Sequence, residues 1–111
     1  MKKDEAYLAH FLDAIADIET FTKDASLSSF LKNKEKQYAV VKALEIIGEA
    51  SKNISPALKS HHPEIPWKKM TGMRDKLTHE YFGVNLELVW ETITVHIPAL
   101  KKQIAKLNVG N

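Results

Sequence analysis

Pro66-Trp67-Lys68-Lys69-Met70-Thr71-Gly72-Met73-Arg74-Asp75-Lys76-Leu77-Thr78-His79-Glu80-Tyr81-Phe82-Gly83 is the stretch that decides the fold. Trp67, Met70, Met73, Leu77 and Tyr81 recur at steps of three and four, the spacing of one helix face. Pro66 suits the first turn of a helix, where its missing N–H leaves nothing unpaired. Gly83 suits the stop at the other end. At about 100° per residue, Arg74 falls within the arc of the apolar stripe, not opposite it. Tyr81 lies two turns further on nearly the same line, whereas His79 falls about 140° away from Arg74 if the helix stays regular.

The sequence on either side reads the same way. From about Asp4 to Lys23, the residues Leu8, Phe11, Leu12, Ile15, Ile18 and Phe21 form a helical stripe. The pattern breaks between Asp24 and Asn33, a connector in which Ser26 can cap a short turn. A second long helix runs from about Lys34 to Asn53, with Asn33 as its cap and Tyr38, Val41, Leu44 and Ile47 on its stripe. Gly48 interrupts that helix at a cost of about 1 kcal/mol relative to alanine, which points to the close approach of another backbone. Ser55-Pro56 starts a short helix ending near His61. Asn85 caps a last helix from about Leu86 to Leu107, with Pro98 expected to kink it and His96 lying beside its core stripe as a structural histidine. The fold class is therefore all-α: an up-and-down bundle of four main helices plus one short helix, in a single domain over residues 1–111.

Composition narrows the function. The chain of 111 residues has a net charge of +2, so a broad nucleic-acid footprint is not expected. Contact with nucleic acid should be local or should depend on oligomerisation. With no cysteine, disulfides, thiolate metal sites and cysteine nucleophiles are excluded. No signal-peptide core and no apolar run near the roughly 18 residues of a membrane span are visible. A cytoplasmic location is expected. His61 and His62 sit on a loop with two prolines and lack convergent partners, so no metal site is expected there.

Arg74 is the only arginine, since the other 15 of the 16 basic residues are lysines. A guanidinium can grip a phosphate with two parallel hydrogen bonds and stays charged at any working pH. His79 can take up or release a proton near neutrality, and Tyr81 adds a phenol. RNA can be cut without a metal when its 2′-hydroxyl attacks the adjacent phosphorus. A base must then remove one proton, an acid must supply another, and a cation must steady the phosphorane. Arg74 and His79 form a minimal set for that chemistry. They can meet at one phosphate only if the helix loosens near its end or a second copy of the chain supplies part of the site. The plainer alternative is an interior ion pair of Arg74 with Asp13, Glu45 or Glu49, with His79 capping the helix. Glu45 and Glu49 share a face and otherwise read as a solvated edge paired with Lys42 or Lys52, although Glu49, beside Gly48, is the better candidate for a close interface.

Arg74-Asp75-Lys76-Leu77-Thr78-His79-Glu80-Tyr81 resembles the Arg-x-x-x-x-His-x-Tyr signature of HEPN-domain ribonuclease toxins of the HepT-like type. Leu44-Glu45-Ile46-Ile47-Gly48-Glu49-Ala50 is similar to the helix that precedes the signature in that family, and the likeness extends from about Leu8 to Leu107. The resemblance implies a dimerising helical bundle with Arg74 and His79 as catalytic residues in a cleft at or near the interface. It implies a metal-independent endoribonuclease without a cofactor, toxic to its own cell and aimed at tRNA or mRNA. It also implies a partner, a minimal nucleotidyltransferase antitoxin, which neutralises the toxin by binding, by AMPylation of Tyr81, or by both. Asp75 stands where the family often has asparagine, and its carboxylate could orient Arg74 or His79. The alternative is a non-catalytic HEPN module that binds a nucleotide or a nucleotidyltransferase partner. A purely structural helical adaptor is a third reading.

Overall fold

Four short polar side chains set where the helices begin. Ser26 and Ser29 bond reciprocally to each other's backbone N–H groups (3.1 and 2.9 Å). Asn33 accepts from Lys36 N (3.0 Å), Ser55 from Leu58 N (3.2 Å) and Asn85 from Leu88 N (3.0 Å). Each satisfies a donor that the first helical turn leaves unpaired. In a computed structural model, which describes residues 2–79 and 85–107, these caps open α2 (Leu27–Leu31), α3 (Lys34–Asn53), α4 (Pro56–His61) and α6 (Leu86–Glu91). The remaining elements are α1 (Lys2–Thr22), α5 (Trp67–His79), a π-helical turn (Thr92–His96) and α7 (Ile97–Ala105). The described residues are all-α, as the periodicity requires, with one extra helical turn in the connector and a wide turn in the last helix.

α3 is the central helix, with α1 and α5 packed along it, α7 closing against α1, and α2 bridging α3 and α6. Phe11, Ile15 and Ile18 of α1 are fully buried, together with Val40, Leu44 and Ile47 of α3. Phe11 meets Trp67 edge to face at 6.2 Å, and Phe30 of α2 meets Trp90 of α6 at 5.3 Å. Burying each such side chain stabilises the fold by about 1.5–3 kcal/mol relative to exposure. Two residues of the expected stripes lie outside this core, with Leu12 41% and Tyr38 49% exposed. Each stands at the edge of its stripe, where solvent reaches the side chain.

Two polar contacts tie the bundle across long stretches of sequence. The buried Asp4 carboxylate accepts from Ser55 N (2.8 Å) and Ser55 Oγ (2.6 Å), which locks the start of α1 to the cap of α4. Ser51, fully buried on α3, donates from Oγ to Trp67 O (2.9 Å) at the start of α5. Pro98 falls just after the π turn, in which Ile97 N–H bonds Thr92 O, five residues back. The expected break at Pro98 therefore takes the form of a widened turn.

The α3 and α5 axes come together at Gly48. A Cβ there would collide with Arg74 Cβ and would lie 2.8 Å from Met70 O and 2.9 Å from Arg74 Cγ. Helical glycine thus has a packing reason at this position. Gly72 has none, since nothing lies within 4 Å of the place its Cβ would occupy. The same substitution should act with opposite sign at the two sites. Gly48→Ala should destabilise by about 1–3 kcal/mol through overpacking, while Gly72→Ala should stabilise by about 0.5–1 kcal/mol. Urea denaturation of both variants checks this, and equal shifts in one direction would refute the assigned crossing.

Candidate active site

The crossing at Gly48 delivers Arg74 to a specific place. The Arg74 stem lies on the bare backbone of α3, and its side chain keeps 28% of its surface exposed. Position within the apolar arc of α5 buries the stem, while the guanidinium reaches the edge of the bundle. There Nη1 donates to Asp75 Oδ1 (3.0 Å), and Nη2 lies 3.3 Å from Glu49 Oε2. Glu49 is itself steadied one turn on, where Asn53 Nδ2 donates to Glu49 O (2.8 Å) and Oε1 (3.2 Å). Both carboxylates are about half exposed.

Of the partners that charge alone offered Arg74, the structure selects Glu49. Glu49 follows Gly48 directly, so the residue that permits the close approach also places the carboxylate at the contact. Asp75, next in sequence, contacts the guanidinium from the other side. The guanidinium is held from two sides and stays partly exposed. A phosphate can bind its exposed part or displace one carboxylate. The cation is thus oriented in advance and electrostatically balanced at rest.

His79 is the last residue of α5, and the backbone remains α-helical from Arg74 to it. Five regular steps turn the chain about 140° between the two. The helix does not loosen between them. Tyr81 lies outside the described residues, as does Gly83. His61 and His62, adjacent in sequence, serve different ends. His61 is exposed, while His62 Nδ1 lies 3.6 Å from Glu64 Oε1 and its carbonyl accepts the Trp67 indole N–H at 3.0 Å. Among the described residues, no group of three or more His, Asp or Glu is placed to share a metal ion. None of the described helices is long and apolar enough to cross a membrane.

Comparison with known proteins matches residues 11–107 to the family described as ribonuclease HepT-like. The chain is 52% identical over 101 residues to a Thermococcus cleftensis protein named "Probable ribonuclease HepT", covering 91% of this chain and 92% of that one. It is 46% identical over 103 residues to "Putative RNase MJ0125" of Methanocaldococcus jannaschii, covering 93% and 89%. It is 44% identical over 107 residues to "Putative RNase TTE0752" of Caldanaerobacter subterraneus, covering 96% of each. No solved structure matches the chain.

A half-exposed ion pair contributes little to stability. Glu49→Gln and Asp75→Asn should each shift the folding free energy by less than about 1 kcal/mol. Arg74→Ala should cost more, about 1–2 kcal/mol, because it also removes the stem that covers Gly48. Chemical denaturation distinguishes these outcomes. A loss of about 3 kcal/mol or more in Glu49→Gln would mark the pair as buried and structural instead.

Proposed function

The chain belongs to the HepT-like ribonuclease family, and from that membership we propose that it is a metal-independent endoribonuclease acting as the toxin of a toxin–antitoxin pair. The observation that carries this reading is the one arginine of the chain, oriented by Glu49 and Asp75 over Gly48 on the helix that ends at His79. Simple surface charge would not require an arginine, and lysine serves it everywhere else in this sequence.

In the proposed reaction Arg74 binds the scissile phosphate and stabilises the charge that builds on its equatorial oxygens. The 2′-hydroxyl loses its proton to a neutral imidazole as its oxygen bonds to phosphorus. The P–O5′ bond breaks, and the departing oxygen takes a proton from an imidazolium. The products are a 2′,3′-cyclic phosphate and a 5′-hydroxyl. His79 is the proton carrier. Helical phase sets positions 74 and 79 on different sides of α5, which favours a homodimer in which the two copies face each other across one cleft. RNA, either tRNA or mRNA, is the substrate.

A minimal nucleotidyltransferase is the proposed antitoxin in the same cytoplasm, acting by binding, by AMPylation of Tyr81, or by both. An AMP group on Tyr81, seven residues after Arg74 in the sequence, adds a bulky anion that competes with an RNA phosphate. The second reading is a non-catalytic module that holds a nucleotide or a nucleotidyltransferase partner. It draws on the two carboxylates that already balance Arg74.

Expression of the unmodified chain should arrest growth, and Arg74→Ala or His79→Ala should relieve the arrest. In vitro, each should lower the cleavage rate by at least about 100-fold, with Arg74→Lys close to Arg74→Ala because lysine lacks the fork. Cleavage should continue in EDTA and leave cyclic phosphate ends. Full toxicity in both alanine variants would reject the catalytic assignment and favour the binding module. Peptide mass spectrometry after co-expression with the nucleotidyltransferase should find AMP on Tyr81. An unmodified Tyr81 in a neutralised complex would leave inhibition by binding alone.

A further inference from the structure

The outer side of α5 carries features that neither the bundle nor the Arg74 and His79 chemistry uses. Gly72 is exposed in mid-helix, with nothing within 4 Å of the place its Cβ would occupy. Glycine weakens a helix interior relative to alanine. At Gly48 the packing of α5 explains it, whereas at Gly72 no neighbour within the described residues does. Lys69 and Lys76, three residues before and four after, flank Gly72 on the same side of the helix, and all three are exposed. Neither lysine forms an ion pair with a described residue. The helical phase brings the backbone of His79 to this side as well.

Beside Lys69 lies a groove of about 290 Å³ between α5 and the last helix, with Met70, Met73, Ile97 and Leu100 as its apolar walls and His96 on its rim. His96 is exposed, so the structural role expected of it does not hold. A cationic line next to an apolar slot is the pairing that binds a nucleic-acid strand through its phosphates and an unstacked base.

We propose that the outer face of α5 is the track along which the RNA strand enters the site. Its phosphates lie on Lys69 and Lys76, its backbone closes on Gly72 where no side chain stands in the way, and one base of the same strand turns into the groove. Two copies of this face would set lysine against lysine, so charge selects an anionic occupant over a second chain. The track also fits a net charge of only +2, since it needs a local basic line and not a basic protein. It rests on the ribonuclease reading and adds to it the surface that carries the substrate.

The test uses full-length His79→Ala protein, which leaves RNA uncut, with a fluorescent unpaired oligoribonucleotide and the same sequence closed in a hairpin stem. Lys69→Gln with Lys76→Gln should weaken binding of the unpaired strand by at least about tenfold and lower the salt slope by about 1.4, near 0.7 for each lost phosphate contact. Gly72→Gln should weaken binding similarly while the protein melts no lower than its parent. Lys32→Gln with Lys34→Gln, at the end of α2 and the start of α3, should change affinity less than about threefold. The stem should bind more weakly than the free strand, because a paired base cannot enter the groove. Unchanged affinity in the lysine pair and in Gly72→Gln would overturn the track, as would an equal loss from the Lys32 and Lys34 control. A Gly72→Gln protein that loses its oligomeric state in sedimentation but keeps its RNA affinity would assign the face to a second copy. Cleavage by the parent chain separates the two ideas. Variants of the track that cut RNA with unchanged KM refute the track alone, while undiminished cutting by Arg74→Ala refutes the catalytic site alone.

Discussion

The missing Cβ of Gly48 is the constraint on which the rest depends. It sets how closely α5 approaches α3, and a methyl group would have no place between the Arg74 stem and the Met70 carbonyl. Three contacts depend on that distance. Ser51 can reach the Trp67 carbonyl, Thr71 Oγ1 comes within 3.5 Å of Ser51 Oγ, and the Arg74 guanidinium arrives within 3.3 Å of Glu49. The helix contact and the placement of the guanidinium share this one cause. A change that pushed the axes apart would loosen the packing and release the arginine together. At Gly48, packing and the placement of Arg74 therefore change together.

Much of this was legible in the sequence, for a physical reason. Caps act over three residues and stripes over one or two turns, so Asn33, Ser55, Asn85 and the apolar periodicity name the helices without tertiary information. Gly48 was legible as a close approach because glycine is unfavourable in a helix unless something requires it. The carboxylate that would meet Arg74 was only partly legible. Asp13, Glu45 and Glu49 were equal by charge; the place of Glu49 beside Gly48 favoured it for a close interface, and the crossing of α3 and α5 sets it against Arg74. Edge residues were equally undetermined, since Leu12 fits its stripe as well as Phe11 does, yet one is 41% exposed and the other fully buried. A helical wheel gives direction from an axis, and burial also requires a neighbour in that direction.

α5 divides its cations by type. The inner side holds the guanidinium, planar and multidentate, fixed by packing and by two acceptors. The outer side holds ammonium groups on flexible stems, hydrated and free of ion pairs with described residues. The first kind suits a single phosphate whose geometry must be controlled, and the second suits phosphates that only need to be attracted. One helix of 13 residues can thus separate recognition from attraction by its two faces.

The π turn at Thr92–His96 changes the phase of the last helix. On a regular wheel the apolar residues from Val89 to Ile104 form one continuous face, which would serve one neighbour. A wide turn takes in extra chain without completing the usual rotation, so the residues beyond it are offset by roughly a quarter turn. The stripe is thereby split between two customers: Trp90 lies against Phe30 of α2, whereas α7 packs on α1 and Lys101 reaches Glu19 at 2.9 Å. A strictly regular helix could satisfy one of these neighbours and would turn away from the other. The irregularity is the gear that lets a single stretch of chain close the bundle on two sides.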